Sequence, residues 1–393
     1  MRKLTRRAVL KNLFSAAAPC LASGPLRLLS PLLLREAQVN GSERAAMADV
    51  AHAFIRKFDV PALCVAIARN GQMVYEQPFG VESRETGGAL KAWNLFRIAS
   101  VTKPITSTAI FSLVEKGKLN PSEKVFGNGG ILGTAFGKTP YRRWVTEITV
   151  DHLLTHTCGG WQNDGTDPMF RFPEMNHAQL IGWTLDNLPL RNPPGTNYAY
   201  SNFGYCVLGR VIERIAGLPY SEYVQREILS HCGVRDMRIS GNTLAERAPN
   251  EVTYFGQSDE NPYNMNVSRM DSHGGWLATA GDLALFAGRV TGFANAPGIL
   301  QRETVARMVT PGPAEAKSAE VKYARGWSVR EDGKGNWWHN GSLPGTTTIM
   351  VRTASGFSWA ALCNTRRQPA DDINLALDNL VWDMARKVRA WTL

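Results

Sequence analysis

Three short stretches of this 393-residue chain set reactive side chains at spacings that could support acyl transfer. The first is Ser100-Val101-Thr102-Lys103, with Pro104 directly after it in "FRIASVTKPITSTAIF". Serine is a weak nucleophile until a base removes its proton. Lysine can be that base only as the neutral amine, which burial or nearby positive charge favours. Proline is tolerated in a helix only in the first turn, where its missing N–H had no partner, so Pro104 predicts a helix beginning near Ser100. Three residues apart on that helix, the Lys103 amine can reach the Ser100 hydroxyl. The Ser100 N–H then lies at the positive end of a helix dipole, suited to stabilising an oxyanion. The apolar neighbours of the pair are expected to bury Lys103. A capping serine followed by a solvent-facing lysine would fit the same spacing, although Ser-x-x-Lys occurs only once in the chain.

The second stretch is Tyr200-Ser201-Asn202, the only Tyr-x-Asn, in a loop ahead of the helical run "FGYCVLGRVIERIAG". A phenol beside a lysine can hold or relay a proton, and an amide can orient both lysine and substrate. A packed tyrosine followed by a capping asparagine is the plainer alternative. The third is His339-Asn340-Gly341-Ser342, ending a strand candidate. Gly341 would let a substrate lie against the strand edge, and the Ser342 N–H could be a second oxyanion donor. His231-Cys232-Gly233 and His273-Gly274-Gly275 share the His-x-Gly pattern, but only His339 falls among strand signals.

The elements that must position these groups can be read from periodicity. Residues 44–58 are helical, 61–80 form two strands around Asn70-Gly71, and a helix runs from Val101 to Lys116 with Ile105, Ala109 and Leu113 on one face and Gly117 as its stop. From about 120 to 310 helical runs are broken by Pro, Gly and Asn clusters. Strand signals return at "ARGWSVRED", "NWWHNG", "GTTTIMVRT" and "GFSWAALCNTR", and "DDINLALDNLVWDMARKVRAW" is an amphipathic helix. The order implies an α+β fold. An antiparallel sheet built from both chain ends (44–119 plus 312–393) is flanked by terminal helices, and a mainly helical domain is inserted at 120–311.

The net charge of +10 is concentrated at the start of the chain. Arg2, Lys3, Arg6, Arg7, Lys11, Arg27 and Arg35 lie in residues 1–35, where no acidic residue occurs. The remainder is nearly balanced, which argues against a nucleic-acid partner. Paired Arg6 and Arg7 before a weakly apolar, small-residue run match a twin-arginine export leader and predict a periplasmic or secreted location. No run is long and apolar enough to predict a stable membrane span in the mature protein. The six cysteines show no C-x-x-C pair and are expected to be free, buried thiols.

Taken together and in this order, Ser-x-x-Lys, Tyr-x-Asn and His-x-Gly resemble the penicillin-recognising serine hydrolases. The similarity points to the class C β-lactamase-like branch, with its esterases, D-aminopeptidases and D-alanyl-D-alanine carboxypeptidases. "LLTHTCGGW" (153–161) is similar to a further stretch of that family. The resemblance implies a β-lactamase/transpeptidase-like fold, Ser100 as acylated nucleophile, Lys103 as base and Tyr200 as proton shuttle. It also implies that Asn202, His339, Gly341 and Ser342 meet the substrate, that His156 braces the helical part, and that no metal or cofactor is needed. Typical class C β-lactamases carry Lys-Thr-Gly where this chain has His339-Asn340-Gly341, and a neutral imidazole attracts the β-lactam carboxylate poorly. The sequence therefore points to a carboxylesterase acting on small ester or amide substrates. A D-peptidase, a weak β-lactamase and a silent penicillin- or muropeptide-binding sensor are the alternatives. Absence of Gly-x-Ser-x-Gly excludes the α/β-hydrolase elbow.

Overall fold

The computed structural model of the protein describes residues 39–391 apart from 258–259, 294–295, 313–319, 331–334 and 368–369. The basic leader with its expected export signal lies outside the described residues. The first elements are α1 (Gly41–Phe58), β1 (Ala62–Arg69), β2 (Gln72–Gly80), β3 (Phe96–Arg97) and α2 (Thr102–Glu115). Next come α3 (Val150–Leu154), α4 (His177–Asn187), α5 (Asn202–Ala216), α6 (Tyr220–Val224), β4 (Arg238–Ile239), β5 (Trp276–Ala278), α7 (Ala280–Thr291) and α8 (Arg302–Val309). The chain closes with β6 (Val321–Tyr323), β7 (Ser328–Arg330), β8 (Trp337–Leu343), β9 (Thr346–Arg352), β10 (Phe357–Cys363) and α9 (Ala370–Ala385). Among the described residues no helix is long and apolar enough to cross a membrane.

Strands from both chain ends form one antiparallel sheet in the order β2-β1-β10-β9-β8-β7-β6. Asn70 and Gly71, at φ 49° and 79°, supply the two left-handed residues that a tight β1–β2 turn requires. Alternation along β1 splits the core in two. Leu63, Val65 and Ile67 pack with α1 and α9, whereas Cys64, Ala66 and Ala68 face the opposite way, toward α7. Small side chains on that second face let α7 lie close: a Cβ on Gly288 would come within 2.9 Å of Ser358 Oγ. Helix α7 falls within the stretch expected to be inserted, yet it packs on the sheet. A second sheet, β3-β5-β4, was not foreseen, because strands of two or three residues carry no readable period.

Helix α2 departs from the one-faced pattern read from its sequence. Every residue from Thr102 to Leu113 is buried. Three of its hydroxyls have specific acceptors: Thr106 Oγ1 donates to Ser272 O (2.7 Å), Ser107 Oγ to Arg325 O (2.6 Å) and Thr108 Oγ1 to Pro104 O (2.8 Å). A 3-10 turn at Ala99–Val101 precedes the helix, with Ala99 at φ 47°. Left-handed backbone at a non-glycine residue costs about 1 kcal/mol and persists only where the surroundings impose it.

Those surroundings are extensive. Arg97, fully buried, donates to Ser240 Oγ (3.0 Å), Pro262 O (2.6 Å) and Gly241 O (3.1 Å), while its own N–H donates to Tyr254 Oη (2.7 Å). From β9, Thr346 Oγ1 donates to Arg97 O and Thr348 Oγ1 to Ile98 O, both at 2.9 Å. Gly341 of β8 lies against the same turn. A Cβ there would sit 2.3 Å from Ile98 O and 2.4 Å from Thr348 Oγ1. The space beside Gly341 is therefore filled by the chain itself, not kept open for a substrate as the sequence suggested. Gly341→Ala is expected to lower unfolding stability by about 1–3 kcal/mol through overpacking. Asn340→Ala, at an exposed side chain, should change it by no more than about 0.5 kcal/mol; denaturant titration of both variants reads the contrast.

Candidate active site

Ser100 emerges at the start of α2, partly exposed, while Lys103 one turn on is wholly buried. Lys103 Nζ makes three contacts: Ser100 Oγ at 3.0 Å, Asn202 Oδ1 at 2.8 Å and His273 O at 3.0 Å. An ammonium would donate to all three. The neutral amine, with two N–H groups, would satisfy Asn202 and His273 and leave its lone pair facing the Ser100 hydroxyl. Burial holds Lys103 well below the usual lysine range, with the Asp167 carboxylate pulling the other way. Both protonation states thus have a place in one geometry.

Tyr200 lies just before α5, whose N-cap is Ser201: its Oγ accepts from Gly204 N at 3.0 Å and donates to Trp161 O at 2.6 Å. Tyr200 presents its ring face to Lys103, with the centroid 4.7 Å from Nζ. Burial pushes its ionisation well above the ordinary phenol range, so Tyr200 is present as the protonated phenol. Asn202 is the first residue of α5 and faces Lys103, so it is a member of the cluster and not the cap.

His339 belongs to β8 but is almost sealed, on the strand face shared with Trp337, Gly341 and Leu343. Its Nε2 lies 3.1 Å from Tyr323 Oη and its Nδ1 2.7 Å from Asn340 O. Burial, reinforced by Lys103, lowers it to about 3, so the imidazole is neutral. His339 stands behind Tyr200, with ring centroids 6.4 Å apart, instead of lining an open cleft. Strand β7 pairs with β8 only at Trp337 and Trp338, so the ladder to β7 stops short of the edge from His339 to Leu343. Ser342 on that edge is half-buried, and its Oγ has no hydrogen-bond partner among the described residues.

Several participants were not legible in the sequence. Asp167, buried, accepts from Asn202 Nδ2 at 2.8 Å. His273, which shares the His-x-Gly pattern but lies outside the main sheet, touches Lys103 through its carbonyl. His231 is exposed on a 3-10 turn. His156 braces the Tyr200 loop from both sides. Its carbonyl accepts from Ala199 N (2.8 Å), its Nδ1 from Ser201 N (3.1 Å), and its ring lies 4.2 Å from that of Tyr200. The described cysteines, Cys64, Cys158, Cys206, Cys232 and Cys363, are free and buried.

Comparison with known proteins bears on this arrangement. A family profile described as Beta-lactamase matches residues 43–381. Esterase EstB of Burkholderia gladioli is 31% identical over 192 residues, covering 43% of this chain and 45% of that protein. Penicillin-binding protein 4* of Bacillus subtilis is 23% identical over 318 residues, covering 73% and 64%. The aligned region thus spans about half to two thirds of the length of these curated relatives. Among solved structures, the D-amino acid amidase from Ochrobactrum anthropi superposes with a TM-score of 0.70 at 18% identity, over 88% of this chain and 99% of that one. The octameric penicillin-binding protein homologue from Pyrococcus abyssi gives 0.69 at 24%, over 86% and 77%. At such identities the likeness shows the fold, which is the β-lactamase/transpeptidase-like one anticipated from the sequence. The profile match across most of its length makes this chain a member of the Beta-lactamase family of serine hydrolases.

Proposed function

We propose that the protein forms an acyl-enzyme at Ser100 and hydrolyses small carboxylic esters, with amides as slower substrates. The observation that carries this reading is the fully buried Lys103 amine, 3.0 Å from the Ser100 hydroxyl. In the proposed cycle the neutral amine takes the Ser100 proton as Oγ attacks the acyl carbon. Tyr200 gives its phenolic proton to the departing alkoxide or amine and is reprotonated from the Lys103 ammonium. In deacylation the same groups act in reverse on water, returning the proton to Ser100. The N–H groups of Ser100 and Ser342 are proposed to receive the oxyanion, and Asn202 to orient Lys103 and the acyl group.

Two features favour neutral, apolar acyl groups over anionic ones. The β8 position where a typical class C enzyme carries lysine holds His339, uncharged and turned inward. Beside the nucleophile, the half-buried Met265 offers apolar surface, packed on the buried side chains of Ala99, Met270 and Leu343. Both weigh toward an esterase and against a D-alanyl-D-alanine carboxypeptidase or an efficient β-lactamase.

A fluorophosphonate probe is expected to label Ser100, by peptide mass spectrometry, and to lose that label in Ser100→Ala. Wild-type protein should turn over p-nitrophenyl butyrate faster than D-alanyl p-nitroanilide or nitrocefin. Dominant nitrocefin turnover would overturn the esterase assignment, and an unlabelled, folded protein would favour a silent binder. Lys103→Ala should lower kcat/KM by about a hundred- to ten-thousand-fold, the range for removal of a general base. Because burial favours the neutral amine, kcat/KM should rise with pH through a limb centred well below the ordinary lysine value. A limb at that ordinary value would show that Lys103 is not the base.

A further inference from the structure

Asp167 lies in the loop between α3 and α4, away from all three sequence motifs. It is 2% exposed. One carboxylate oxygen accepts from Met169 N at 2.9 Å and the other from Asn202 Nδ2 at 2.8 Å. Asn163 Oδ1 accepts a second, longer bond from Asn202 Nδ2, at 3.1 Å. The loop itself is fixed from below. The buried Arg269 guanidinium donates to the carbonyls of Met169, Arg171, Phe172 and Met175 at 2.6–3.0 Å. Asp167 is thus a buried carboxylate on a tied-down loop, aimed at the far side of the amide that faces Lys103.

An asparagine amide has a donor end and an acceptor end, and nothing intrinsic decides which way it points. An ionised carboxylate can only accept, so it draws the NH2 end toward itself and leaves Oδ1 for Lys103. Resting on the proposed roles of Ser100 and Lys103, we infer that Asp167 is a positioning residue for the base. Through Asn202 it holds the amide oxygen against Lys103, and its negative charge opposes release of the Lys103 proton. No contact with substrate is involved, because Asn202 stands between.

The charged and titratable groups around this network are few. Tyr200 and Tyr205 present ring faces to Lys103, 4.7 and 5.7 Å from Nζ. His156, His273 and His339 approach from the loop after α3, the segment before β5 and β8, and burial keeps each neutral. Asp164, exposed at the loop surface, is ionised and disfavours a second charge on Asp167. Burial pushes Asp167 itself up to about 6, so it is mainly ionised at neutral pH. Asp167 is the carboxylate that raises the proton affinity of Lys103.

The test is the second-order rate of fluorophosphonate labelling at Ser100 against pH, for wild type, Asp167→Asn, Asp167→Ala, Asn202→Ala and the Asp167→Ala/Asn202→Ala double variant, with kcat and KM for p-nitrophenyl butyrate. Asp167→Asn keeps shape and removes charge, so its acidic limb should move to lower pH by on the order of one unit. Asp167→Ala should lower kcat by about tenfold with KM little changed, and that factor should vanish in the Asn202→Ala background, as coupled residues require. A limb that coincides with wild type or moves to higher pH would overturn the inference, and so would losses that simply multiply in the double variant. If Asp167→Ala does not fold, the Asp167→Asn limb alone decides. Failure of wild type to label at Ser100 would instead remove the site reading on which the inference stands.

Discussion

A lysine amine removed from water is the constraint around which this molecule is organised. Solvent stabilises an ammonium strongly, so burial shifts the balance toward the free base. That shift is useful only if the amine keeps partners in both states. Ser100, Asn202 and His273 supply them from the turn before α2, from α5 and from the segment before β5, so three separate parts of the chain must converge on one nitrogen. The burial of α2 on all sides follows, since a helix with a wet face would bring water within reach of the amine one turn from its start.

Holding such a cluster requires a rigid approach to the proposed nucleophile, and the structure supplies it from the sheet side. The turn carrying Ser100 is fastened by threonines of β9, by Arg97 beneath it and by Gly341 pressed against its carbonyl. Each contact is short-range, yet its partners are separated in sequence by 143 residues or more. Left-handed backbone at Ala99 is the local outcome. Behind Tyr200, the packed rings of His156, Tyr205, Tyr323 and His339 form a wall that fixes the phenol from the rear.

How much of this could be read in advance depended on whether a relationship was local. The Ser100–Lys103 pair was legible because helical spacing dictates it, and the Asn70-Gly71 turn because its backbone chemistry is specific. Strands β1, β2, β7, β8, β9 and β10 were legible as strand signals, whereas β3, β4, β5 and β6 are too short to show a period. Asp167 was invisible: its link to Asn202 crosses 35 positions with no repeating pattern. His339 was within reach of a closer reading. In "WWHNGSL" it shares strand parity with Trp337 and Leu343, which marks it as inward-facing. The all-round burial of α2 was hidden by its threonines and serines, which look like a polar face until their acceptors are known.

That helix also bears on how such a protein can diversify. Twelve consecutive residues, Thr102 to Leu113, have no face turned to solvent, so almost any exchange along them disturbs a neighbour. Positions flanking the proposed nucleophile answer to fewer partners: the side chains of Asp164 and Phe170, in the loop before α4, and of Asn340, on β8, are exposed. Heritable change that redirects the proposed chemistry to new substrates has its freedom there, while the helix behind Ser100 stays locked against drift.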